Sequence, residues 1–209
     1  MSKRDFLFFL NDKLERFKLK IFTKYNLIRY CFVFERNSSK KVSIKNKVRI
    51  NHFHQNKLRI YLEDEVYIEK YVTFQGTGKI KIGKYSSIGE RTTIGSSELV
   101  EIGEFVQIAS NCSIRDTDHK FDDLTKPIAQ QGIITKKVTI GDDVWIGNGV
   151  SITKGIKIGK GSVIGANSVV TKDIPEYSIA VGVPAKVIRK RGKDNGKDKL
   201  WFLWRKRYL

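Results

Sequence analysis

The chain has 209 residues, 30% of them charged, and a formal net charge of +18. That length fits one domain with appendages. No apolar run reaches the roughly 18 residues of a membrane span, Phe6–Leu10 is too short for a signal-peptide core, and a cytosolic protein is the expectation. The charge is uneven: +7 over 1–41, +3 over 42–185 and +8 over 186–209. A nearly balanced middle argues against a nucleic-acid groove, whereas basic ends suggest contact with something anionic.

In residues 1–41, Leu7, Leu10, Leu14, Phe17 and Ile21 step by three and four, which predicts one face of a helix. Lys13, Arg16, Lys18, Lys20 and Lys24 surround it, so this is read as a basic amphipathic helical segment. Two roles stay open: peripheral contact with an anionic membrane, which would place the protein at the inner leaflet, or a cap on the structure that follows.

Residues 42–185 carry a different period. Ile82, Ile88 and Ile94 are six apart; after a step of eight come Ile102, Ile108 and Ile114; then Ile140, Ile146, Ile152, Ile158, Ile164 and Val170 run unbroken. Gly83, Gly89, Gly95, Gly103, Gly141, Gly147, Gly159 and Gly165 follow eight of these. A six-residue period predicts a parallel β-helix, one short strand and one corner per hexapeptide. About 18 residues complete a triangular coil, giving roughly seven or eight coils. Sandwich strands recur at about 8–12 residues and do not match.

The period breaks once in a large way, between Ile114 and Ile140, and this predicts an excursion loop over 115–135. Long departures from a rigid scaffold are where function concentrates. This one holds Asp116, Asp118 and His119. Histidine is a natural general base near neutral pH, and Asp116 or Asp118 is the local candidate to orient it. His52 and His54 share a strand face but lack a third ligand, so no metal site is expected. Cys31 and Cys112 are too far apart in sequence to form a metal or disulfide motif, and Cys112 reads as a small buried hydrophobe. Residues 186–209 form a basic, aromatic C-terminal tail, with Trp201, Trp204 and Tyr208 among Arg205, Lys206 and Arg207.

The stretch VTIGDDVWIGNGVSITKGIKIGKGSVIGANSVVTKDIPEYSIAVGVPAKVIRKR, Val138–Arg191, resembles the hexapeptide-repeat acyltransferases, and the resemblance extends back to Val100. It is similar to the maltose and galactoside O-acetyltransferases and to sugar O-acetyltransferases of O-antigen and capsule synthesis. The resemblance implies a left-handed β-helix, a homotrimer with active sites between subunits, acetyl-CoA as donor and no metal requirement. It places the catalytic histidine at His119. It places the tryptophan against the pantetheine arm at Trp145, and other coenzyme A contacts at Asn148, Ala166, Thr171, Lys172, Lys186 and Arg189. Cations at the last two and at Lys172 suit the phosphates. An asparagine of the galactoside branch is replaced by Gly89, while Asp116-x-Asp118-His119 looks more like the O-antigen and capsule branch. The implied function is O-acetylation of a sugar of a surface polysaccharide or its precursor. The alternatives are N-acylation of an amino-sugar nucleotide and a non-enzymatic structural β-helix.

Overall fold

The computed structural model describes residues 34–36, 42–52 and 58–192. The chain winds as a parallel β-helix whose strands fall into three sheets, one on each side of a triangular coil. The first face contains Phe34–Arg36, Arg59–Leu62, Lys79–Ile82, Leu99–Ile102, Val138–Ile140 and Lys157–Ile158. The second contains Ser43–Ile44, Tyr67–Ile68, Ser87–Ile88, Gln107–Ile108, Trp145–Ile146, Val163–Ile164 and Ser178–Gly182. The third contains Arg49–His52, Thr73–Gly76, Thr93–Ser96, Ser113–Arg115, Ser151–Ile152 and Val169–Val170.

Each face buries a column of aliphatic side chains in strict register, and the first adds a second column, Ile60, Ile80, Val100 and Val138. On the first the other column is Leu62, Ile82, Ile102, Ile140, Ile158 and Ile174. On the second it is Ile44, Ile68, Ile88, Ile108, Ile146, Ile164 and Ala180. On the third it is Ile50, Phe74, Ile94, Ile114, Ile152 and Val170. β-Branched side chains suit a pleated wall, and stacking identical shapes gives one continuous core that no single coil could bury.

The coil length changes along the stack. Leu62, Ile82 and Ile102 recur every 20 residues, whereas Ile140 and Ile158 are 18 apart. The two extra residues lie at the corner between the third and first faces, as in Gly76–Gly78, whose Thr77 and Gly78 N–H groups both donate to the Ser96 carbonyl. Thus the single eight-residue step read from Ile94 to Ile102 is a regular feature of the early coils, shared by Phe74 and Ile82.

Buried hydroxyls replace aliphatics at some corners and are satisfied there. Ser86 donates to the Gly103 carbonyl at 2.8 Å and accepts from the Val106 N–H. Thr92 donates to Ala109 and accepts from the Cys112 N–H. Such pairing removes the cost of a lone buried polar atom.

Two expectations need correction. Phe34–Arg36 is a strand pairing in parallel with Ile60–Leu62, so the β-helix reaches into the segment read as helical; its extended backbone adds an edge to the first sheet. The remainder of 1–41 lies outside the described residues. At the other end, a break between 185 and 186 would cut a strand. Ala185–Lys190 turns back antiparallel on Ser178–Gly182 and closes the second sheet. Lys190 Nζ donates to the Glu176 carbonyl at 2.8 Å, and the Arg191 guanidinium bonds Asp143 at 2.7 Å and the Gly161 carbonyl, strapping the hairpin to the coils beneath. The aromatic tail beyond Gly192 lies outside the described residues.

Candidate active site

Between Arg115 and Lys137 the chain leaves the coil. Thr117–His119 pairs antiparallel with Ile133–Thr135, with His119 opposite Ile133. The ribbon is tied to the body where Lys136 N–H donates to the Asp116 carbonyl at 2.8 Å. Its tip is closed by Gln131, whose amide bonds the backbone of Asp123 and Lys126, and by Asp123 accepting from Thr125. Its apolar side chains are open: Phe121, Ile128, Ile133 and Ile134 are exposed and Leu124 is 97% accessible.

His119 is exposed on this ribbon, and within the chain its imidazole forms no hydrogen bond with any described residue. Neither aspartate expected to orient it does so. Asp116 is fully buried. Its carboxylate accepts from the Ser97 N–H and Thr117 hydroxyl on one oxygen, and from the Ser96 hydroxyl and Glu98 N–H on the other, all at 2.7–3.0 Å. Four donors saturate a carboxylate. Asp116 stands 20 residues after Ser96, as Ser96 stands after Gly76. Where the chain departs into the loop, the carboxylate takes the place of the next coil's carbonyl and caps the Ser96–Glu98 corner. Asp118 neighbours His119 on a strand, so the two side chains point to opposite faces. Its carboxylate pairs with Lys154 at 2.6 Å. Sequence reading missed Lys154, since a partner 36 residues away leaves no local signal.

The expected coenzyme A contacts fall into two groups. Trp145 is 56% exposed on the second face. It lies in the outward row Trp145, Val163, Ile179 and Arg189, so Trp145 and Arg189 are three strand steps apart, about 14 Å. Lys186 stands opposite Val181 on the same hairpin. Asn148 and Ala166 are exposed at the adjoining corner, where the Asn167 N–H donates to the Asn148 carbonyl. Thr171 and Lys172 are elsewhere, exposed at the corner after the third face. They follow Val170, whose carbonyl accepts from the Thr153 N–H and hydroxyl; Lys154, the partner of Asp118, is the next residue. One chain therefore brings Trp145, Asn148, Ala166, Lys186 and Arg189 to one side. It brings Thr171 and Lys172 to the corner from which the His119 ribbon springs.

Gly89 occupies the position of the galactoside-branch asparagine. A Cβ there would lie 2.4 Å from the carbonyl carbon of Ala109 on the next coil. Any side chain would force the two coils apart, so this position has no room for an asparagine.

The family model for bacterial transferase hexapeptides (six repeats) matches residues 137–172. A probable acetyltransferase of Mycobacterium tuberculosis is 46% identical over 114 residues, 54% of this chain; the match spans only 38% of that protein. AntD, an N-acyltransferase from Bacillus cereus solved with dTDP-4-amino-4,6-dideoxyglucose and coenzyme A, superposes with TM-score 0.68 at 26% identity, covering 87% of this chain and 96% of that one. A hexapeptide-repeat acetyltransferase from Vibrio cholerae is 30% identical over 69% of this chain and 73% of its own, with TM-score 0.51. A maltose O-acetyltransferase from Clostridium difficile is 30% identical over 78% and 73%, with TM-score 0.52. With the repeat, the registered aliphatic columns and these relatives together, the chain belongs to the hexapeptide-repeat acyltransferases.

Proposed function

We propose that the protein transfers an acetyl group from acetyl-CoA to a hydroxyl of a saccharide, a surface polysaccharide or its precursor, with His119 as general base. The observation that carries this reading is the His119 ribbon: among the described residues, an unpartnered imidazole held open on the one long departure from the coil. In the reaction, the imidazole takes the proton of the acceptor hydroxyl as its oxygen attacks the thioester carbonyl carbon. The tetrahedral intermediate collapses with cleavage of the C–S bond, and the imidazolium returns the proton to the departing thiolate. Trp145, Asn148 and Ala166 provide an edge for the pantetheine arm, and Lys172, Lys186 and Arg189 pair with phosphates.

The split between the two groups of contacts supports a site shared by neighbouring subunits. The third face separates the His119 corner from the Trp145 side, and a second copy would set one against the other. The open apolar residues of the loop, Leu124 above all, are what a neighbouring subunit would cover. A homotrimer is the assembly we infer, with the acceptor at the subunit boundary.

A second reading, transfer to the amine of an amino-sugar nucleotide, is favoured by the extent of the match to AntD, which covers 96% of that chain. A neutral amine needs less activation than a hydroxyl. The two are separated by treating the acetylated product, freed of acetyl-CoA, with alkaline hydroxylamine. Release of acetyl hydroxamate identifies an ester and supports the first reading; a stable product is an amide and supports the second.

A further inference from the structure

Next to the root of the His119 ribbon, the third face bears a charged group that the reaction above does not use. Its outward positions form two rows. One is Thr73, Thr93, Ser113 and Ser151. The other is Asn51, Gln75, Gly95 and Arg115. Arg115 is exposed, and it is four residues before His119.

The Arg115 guanidinium lies back along its row, over Gly95 and toward the side-chain amide of Gln75 two coils away. With that amide turned so that its oxygen faces the guanidinium, the orientation that satisfies both groups, both terminal nitrogens donate to it. Gly95 makes this possible. A Cβ at that position would sit 3.3 Å from Arg115 Nη1 and 3.5 Å from both Arg115 Cγ and Gln75 Cγ. The guanidinium is thus laid flat over a glycine and held by a neutral amide, which fixes its plane but leaves its charge uncompensated. Three of its five N–H donors stay available. Among the described residues, Arg115 forms no ion pair, and no outward-facing residue of the third face is acidic. The hydroxyls of Thr93 and Ser113 make no hydrogen bond to any described residue. Ser113 stands two residues from Arg115 on one strand, about 6.8 Å away, with Thr93 in register beside it.

A fixed, uncompensated guanidinium beside free hydroxyls is what recognises a tetrahedral or planar oxyanion, and arginine's fork matches both phosphate and carboxylate. We propose that Arg115, with Ser113 and Thr93, binds an anionic group of the acceptor, so that the substrate is a phosphorylated or carboxylated saccharide and not a neutral sugar. Arg115 is a specificity residue, Gln75 and Gly95 position it, and the inference rests on the acyl-transfer reading for the identity of the ligand as acceptor.

The test is an NMR titration of the full chain with glucose, glucose 1-phosphate and glucuronate, in the wild type, Arg115→Ala and Gly95→Val, with acetyl-CoA turnover measured in parallel. The two anions distinguish a phosphate from a carboxylate source. The wild type is expected to bind one or both anions at least about 10-fold more tightly than glucose, the worth of a charge-assisted pair. Arg115→Ala is expected to abolish that preference while the KM for acetyl-CoA stays within about twofold. Gly95→Val keeps the charge but displaces the guanidinium, and is expected to give the same loss. Equal binding of all three ligands by the wild type, or an anion preference that survives Arg115→Ala, overturns the proposal. Selective binding without turnover on any hydroxyl or amine acceptor would leave the anion site standing and instead refute the acyl-transfer reading.

Discussion

Asp116 shows how one side chain can be conspicuous in sequence for the wrong reason. It lies three residues before the candidate base, yet its carboxylate is fully buried and hydrogen-bonded to the corner it caps. Asp116→Ala would leave the Ser97 and Glu98 N–H groups without partners, while the Ser96 hydroxyl would keep the Lys79 carbonyl. An unfolding free energy lower by about 3 kcal/mol in denaturant titration is expected. Asp118→Ala removes only an exposed pair with Lys154, and a change within about 1 kcal/mol is expected. Cys112 supplies a pH test. Burial pushes its thiol above the ordinary cysteine value, although contacts with Gly149, Val150 and Thr92 act in the other direction. The unfolded thiol therefore ionises first as pH rises. Any stability linked to this group is complete below the ordinary value of about 8.5 and declines above it. Cys112→Val places in this corner column the residue found at Val72 and Val150. Comparing denaturant unfolding at neutral and alkaline pH should show a smaller alkaline loss in the variant than in the wild type.

At the scale of elements, the close stacking of coils is the governing constraint. Gly89→Asn restores the residue of the galactoside branch but drives a Cβ into the Ala109 backbone. Its expected outcome is a lowered melting temperature with no gain of activity on galactosides; a stable variant that gains such activity would contradict the packing argument. The corner bearing Lys172 is tested by Lys172→Ala. The KM for acetyl-CoA is expected to rise about tenfold, in line with loss of a charge-assisted phosphate contact, with little change in kcat.

These elements also show what a sequence makes legible. The faces and their register were readable because side-chain periodicity is imposed by the stack itself, and Ile82, Ile102, Ile140 and Ile158 hold one column. The early coils were less readable because Leu62 and Phe74 replace the isoleucine that marks the later ones, and a 20-residue coil breaks the count of six. The excursion and His119 were visible as an interruption. The roles of Asp116 and Lys154 were not, since both depend on which distant coil lies alongside.

At the scale of the molecule, the described residues form a triangular β-helix with one ribbon thrown out of it, and the proposed chemistry is divided between two corners. In the proposed reading the β-helix carries the coenzyme A contacts and the ribbon carries the base. The account predicts that each half is inert without the other. Its central claim is that His119 activates a saccharide hydroxyl toward acetyl-CoA. Thiol release is the direct measure, using hydroxyl and amine saccharide acceptors with wild type and His119→Ala. Turnover that depends on a hydroxyl acceptor and falls by about a thousandfold in the folded variant is the predicted result. Turnover on the same hydroxyl acceptor that survives in a folded His119→Ala protein would contradict it.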